Sequence, residues 1–224
     1  MEMILQFFGG RGSGSGGGES LSNGSGKPIN IKSTTDVWSF RHNPNNEPFV
    51  DAINSSVRDM ADDFPGLMRD VNTVDSAELG GLDRTQTLGF YGDGQVAINA
   101  NYTNIDKMNA VYDKAVKSGY HPSRGDKSGT EAVTYHEMGH ALTDSLAKKM
   151  GAKNLDAASK KIVNDAYKAS GGKGGTKAWA GKISKYAQEN YAECVAEAVS
   201  DWYCNGKKAS LNSKAIMTQL KKYN

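Results

Sequence analysis

No run of 18 apolar residues occurs anywhere in the chain, so no segment reads as a helix that crosses a membrane. The first eight residues, MEMILQFF, lack a basic region and a small-residue cleavage site and are too short for a signal peptide. A cytoplasmic or assembly-bound protein is therefore expected in preference to a secreted one. Only two cysteines occur, Cys194 and Cys204, with no CxxC pair. That excludes a disulfide framework, and both are expected as thiols. The chain has no internal repeat, and its formal net charge of +2 is too small to argue for nucleic acid. With 224 residues, 38% of them hydrophobic, the composition fits one soluble domain, or one domain with a tail.

What is present is unevenly placed. Residues 141–224 hold 15 Lys against 7 acidic residues, an excess of eight positive charges, and residues 1–140 carry an excess of six negative ones. Such a Lys-rich half reads as solvated helix faces, with contact to a polyanion or acidic partner as the sharper alternative. Residues 9–26 contain nine glycines in eighteen positions. They offer too little apolar surface to offset their ordering entropy, so residues 1–28 are expected to be a flexible segment and 29–224 a single domain.

Within 29–224, apolar residues recur at helical spacing at Val50, Ile53, Val57 and Met60, until Pro65 breaks the pattern. Thr87–Tyr91 and Gln95–Tyr102 flank Gly92-Asp93-Gly94 and read as a hairpin. Helices are expected over 105–117, 129–149 (capped by Ser128 or Thr130), 154–169, 188–204 and 211–223, with a Gly/Lys loop at 171–178. Strands precede most helices, which gives an α+β class.

The residues with chemical content are His136-Glu137-Met138-Gly139-His140, an HExxH motif on the 129–149 helix. Residues four apart share a helical face, so His136 and His140 can hold one metal ion together. Glu137 then stands beside a metal-bound water and can take its proton. Two imidazoles and a carboxylate suit zinc. Gly139 costs helix stability and suggests close packing or access near the metal. A catalytic zinc needs a third ligand and an open position. Thr143 and Leu146 stand where the metzincin continuation would place Gly and His. His42 and His121 are weak candidates in expected loops. The better candidates lie on the helix near 188–204, where Glu189, Glu193, Glu197 and Asp201 recur every four residues. Four such acids repel one another on an exposed helix, and a divalent cation bound by Glu193 or a neighbour would relieve the conflict for those close to it. Glu189 and Asp201 are expected as solvated charges.

HEMGH, followed 53 residues after His140 by Glu193 in AECVAEA, resembles the gluzincin metallopeptidases and in particular the anthrax-lethal-factor-like zincin domain. The resemblance covers roughly residues 85–205. It implies a small twisted sheet packed on the HExxH helix, with a helical C-terminal half. It also implies zinc held by His136, His140 and Glu193, with Glu137 as the catalytic base. By the same resemblance Glu197 orients a ligand histidine from behind, and Tyr186, in Ile183-Ser184-Lys185-Tyr186-Ala187, stabilises the oxyanion, with Tyr191 as its competitor. Cys194 and Val195 depart from the aromatic residues usual after the ligand Glu. The opening FFGGRG resembles proteins of Gram-positive phages and prophages.

The implied activity is a zinc-dependent endopeptidase acting on a protein or peptide substrate through a Glu-activated, zinc-bound water. The tail would tether it to a phage or other macromolecular assembly, in a cytoplasmic or virion-associated setting. Two alternatives stand beside this: an assembly protein with a non-catalytic zinc site, and a toxin-like effector protease. No membrane partner is expected, and a nucleic-acid role is a poor fit. The strand Val96–Asn101 is either an edge that pairs with an extended peptide or ordinary core sheet.

Overall fold

The computed structural model describes residues 47–66, 73–77, 87–92 and 94–224. The expected tail, the domain start near residue 29 and His42 lie outside the described residues. Helix α1 is Glu47–Asp63, and its stripe of Val50, Ile53, Val57 and Met60 is buried as the periodicity requires. Strands β1 (Thr73–Ala77), β2 (Gly89–Gly92) and β3 (Gln95–Asn99) follow. Then come α2 (Ile105–Lys117), α3 (Gly129–Lys149), α4 (Leu155–Ala169), the single-turn α5 (Thr176–Ala180), α6 (Tyr191–Asn205) and α7 (Leu211–Leu220). The class is α+β, mainly helical, and among the described residues no helix is long and apolar enough to cross a membrane.

The sheet order is β1-β3-β2, with β2 antiparallel and β1 parallel to β3. The hairpin forms at the expected place, with Gly94 at φ 76°, a left-handed value that glycine adopts without strain. The strand Val96–Asn101 is not an edge, however. β3 is the central strand, with partners on both sides, and among the described residues β1 and β2 are the outer strands. It also ends two residues early. The Asn99 side chain accepts from Asn101 N–H at 2.9 Å and donates to the Thr87 carbonyl at 2.6 Å, which turns the backbone into a 3₁₀ turn at Ala100–Tyr102.

Helix α3 is the axis of the molecule. It packs against α6 most extensively, and also against α1, α2, α4, β2 and β3. It is therefore buried nearly all round rather than along one stripe. Ser128, not Thr130, caps it: the Ser128 hydroxyl accepts from Glu131 N–H, and the Glu131 carboxylate accepts from Ser128 N–H at 2.7 Å. Thr134 and Thr143 return their hydroxyls to the carbonyls of Thr130 and Gly139, which lets polar residues sit inside a core.

In the helical half, three boundaries differ from expectation by more than one residue. Residues 186–188 form a 3₁₀ turn, and α6 starts only at Tyr191, because the Asn190 side chain caps it by accepting from Glu193 N–H at 2.9 Å. Glu189 thus precedes the helix and is exposed, so the run of four acids on one helix is a run of three. The expected 171–178 loop gives way to α5 at Thr176, and α7 tightens into a 3₁₀ turn at Lys221–Tyr223.

Candidate metal centre

Two helices build the site. α3 carries His136, Glu137 and His140, and α6 carries Glu193 and Glu197. All five side chains are buried, with His140 the most exposed at 3%. The helices meet closely at Gly139. A Cβ there would stand 3.0 Å from Ala196 Cα and 3.1 Å from Val199 Cβ. The glycine's helix cost is offset by this approach, which brings Glu193 over the histidine pair. Ser200 pins the same crossing by donating its hydroxyl to the Ala132 carbonyl at 2.9 Å.

His136 Nε2, His140 Nε2 and Glu193 Oε2 converge. The separations are 3.2 Å between the two nitrogens, 3.1 Å from His136 to Glu193 and 3.4 Å from His140 to Glu193. A tetrahedral ion with bonds of about 2.05 Å has ligand-to-ligand edges of about 3.3 Å. The three atoms therefore stand as the donors of one ion would. They are the one such group of His, Cys, Asp or Glu among the described residues. A three-donor set leaves a fourth position open.

The proton positions agree. His136 Nδ1 lies 2.9 Å from Glu197 Oε1. An ionised carboxylate only accepts, so His136 donates there from Nδ1. In the neutral ring, Nε2 then carries a lone pair, and that lone pair faces the Glu193 carboxylate. Two acceptors in contact need a cation between them. Without metal that cation is a proton: burial opposes it, but the hydrogen bonds to Glu193 and Glu197 raise the His136 pKa to about 10. A metal ion competes for the same lone pair. Burial also works against the charge of Glu193 and of Glu197, yet the adjacent imidazoles hold each at about 2.

Glu137 is different. Neither carboxylate oxygen has a hydrogen-bond partner, although the residue is fully buried. Burial raises its pKa to about 7 against the pull of His136 and His140. Gly89 on β2 makes room for it, since a Cβ there would fall 2.7 Å from Glu137 Cγ and Oε1. The next residue but one, Tyr91, stacks beside His140 at 6.4 Å and donates its hydroxyl to Asp144 at 2.8 Å, fixing β2 to α3.

Tyr186 is 5% exposed, and its ring centre lies 6.0 Å from that of His136. Burial, then the charges of Glu193 and Glu137, raise its pKa well above the ordinary phenol value, so it stays a neutral donor. Tyr191, its competitor, is half-buried at the start of α6. His121 is not part of the donor set. Its Nδ1 lies 3.0 Å from Glu197 Oε1, and Ser184 donates to Glu197 Oε2 at 2.6 Å. Ser184 and Gly89 carry no spacing signal of their own. The HExxH helix gave no register for what stands over it.

Asp201, expected as a solvated charge, is instead 6% exposed. It accepts from Ser210 N–H (2.9 Å), Ser213 Oγ (2.6 Å) and Asn205 Nδ2 (2.9 Å), tying α6 to the start of α7. Cys194 and Cys204 are free thiols.

The chain matches no protein-family model, no curated protein and no solved structure.

Proposed function

We propose that this chain is a zinc-dependent endopeptidase of the gluzincin type, with a fold of the anthrax-lethal-factor-like zincin kind. The observation that carries the reading is Glu137. Beside a three-donor metal cluster stands a buried carboxylate with no partner of its own. A site serving only stability has no use for such a group, and would close with a fourth protein ligand.

His136, His140 and Glu193 would hold the ion, and their two imidazoles and carboxylate suit zinc. When bound, zinc supplies a Lewis acid that polarises a carbonyl and acidifies water. Glu137 takes the proton of the attacking water at its carboxylate and passes it to the departing amine. Tyr186, neutral and close to His136, donates a hydrogen bond to the oxygen that gains charge. Glu197 holds His136 in the tautomer that presents Nε2. The substrate is a protein or peptide in extended form. The outer strand that could pair with it is β2, which lies against Glu137 at Gly89, rather than Val96–Asn101.

The test is cleavage of casein and of a broad peptide library by the wild type and by Glu137→Ala, each with its zinc content measured. Cleavage by the wild type alone, with zinc in both, supports the peptidase reading. Zinc in both with no cleavage by either overturns it in favour of a non-catalytic zinc protein of an assembly.

A further inference from the structure

Glu197 serves two imidazoles, not one. Its Oε1 lies 2.9 Å from His136 Nδ1 and 3.0 Å from His121 Nδ1. The ionised carboxylate only accepts, so each ring presents Nδ1–H to the same oxygen. Ser184 donates to the other oxygen at 2.6 Å. All four side chains are buried, and there the direction of each hydrogen bond is fixed by what its neighbour can accept.

His121 is itself held from three sides. Tyr112 stacks on it with ring centres 5.5 Å apart and planes 15° apart, and Tyr120 and Tyr186 meet it edge-on at 5.0 and 5.5 Å. Its backbone is anchored beside Tyr186. Lys185 N–H donates to the Gly119 carbonyl at 2.9 Å, and Tyr186 N–H donates to the Tyr120 carbonyl at 3.1 Å. The loop after α2 and the turn before α6 are thereby fastened together directly behind the metal ligands.

We infer that His121 is a positioning residue of the metal centre, which acts through Glu197 to fix the orientation and tautomer of the ligand His136. The inference rests on the metallopeptidase reading above. Without the His121 donor, Oε1 keeps only His136 as a partner, and the carboxylate is held less firmly between His136 and Ser184. The His136 ring can then tilt, which shifts Nε2 from the position that completes the cluster with His140 and Glu193. A residue that only filled space between tyrosines would be replaceable by any ring of similar size.

The test compares His121→Phe, which keeps a ring and loses the donor, with His121→Asn, whose amide nitrogen reaches the place of Nδ1. Zinc affinity is measured by competition with a chromophoric chelator, and the cobalt(II)-substituted proteins are compared by visible absorption. Partners behind metal ligands are worth 10- to 100-fold in affinity. We expect His121→Phe to bind zinc about tenfold more weakly with an altered cobalt spectrum, and His121→Asn to recover most of both. If His121→Phe does not fold, His121→Gln replaces it, because its amide reaches the place of Nε2 instead. A folded His121→Phe with wild-type affinity and spectrum, or an Asn variant no better than Phe, overturns the inference alone. A wild type that binds no metal overturns the peptidase reading together with it.

Discussion

A carboxylate inside a protein normally finds hydrogen-bond donors, and Glu137 has none. On the peptidase reading proposed above, the group is free to take the proton of the attacking water. Glu137→Gln keeps its shape but cannot take a proton. It should retain zinc and fold, and lose cleavage by about 10² or more, read by metal analysis and turnover of a cleaved peptide. Tyr186→Phe should lower kcat by roughly 10²-fold and leave KM nearly unchanged, as expected for a donor used only as charge develops. The kcat and KM split from steady-state kinetics checks it. Asp201 is a residue of another kind. It accepts three hydrogen bonds, two of them from the start of α7, and is not a member of the donor cluster. Asp201→Ala should cost about 2–3 kcal/mol in urea unfolding while the zinc content stays the same. Unchanged stability would return Asp201 to the solvated charge that its spacing suggested.

At the scale of elements, the centre depends on how near α6 comes to α3. Gly139 sets that distance, because its missing Cβ leaves room for Ala196 and Val199. Gly139→Val should cost about 1–3 kcal/mol by overpacking and weaken zinc binding as Glu193 moves away from the histidines. Chemical denaturation and metal competition read the two effects. Wild-type zinc affinity in a folded Gly139→Val variant would show that the crossing is not what places Glu193. The helices were largely legible in the sequence because their apolar periodicity and caps are local: 105–117 and 129–149 were read with the bounds that the structure has. The sheet was less legible. The β2–β3 hairpin follows from Gly92-Asp93-Gly94, but the parallel pairing of β1 with β3 joins distant segments and leaves no periodic trace. That pairing is why Val96–Asn101 lies inside the sheet rather than at its edge. Of the site, the i,i+4 histidines could be singled out by spacing, since that pattern lies within one helix, whereas spacing offered Glu193 only as one of four acids and the family resemblance selected it. The contacts of His121, Ser184 and Gly89 with this centre come from loops and a strand brought together by the fold, and no local pattern encodes them.

For the whole molecule, the candidate metal site and the core are one object. α3 passes through the middle of the fold, and the donors on it meet a donor on its main packing partner. An ion bound to the folded chain alone therefore stabilises all of it. At free zinc a thousand times Kd the linkage is worth about 4 kcal/mol, roughly 10 °C of Tm for a domain of this size. Dialysis against a chelator should lower Tm by about that much, and zinc should restore it. The account stands most directly on the metal content of protein purified without chelators, measured by elemental mass spectrometry for the wild type, Glu137→Gln and Glu193→Ala. The prediction is one zinc per chain in the first two and little in the third. No zinc in the wild type, or equal zinc in all three, would contradict the assignment of His136, His140 and Glu193 as a metal centre.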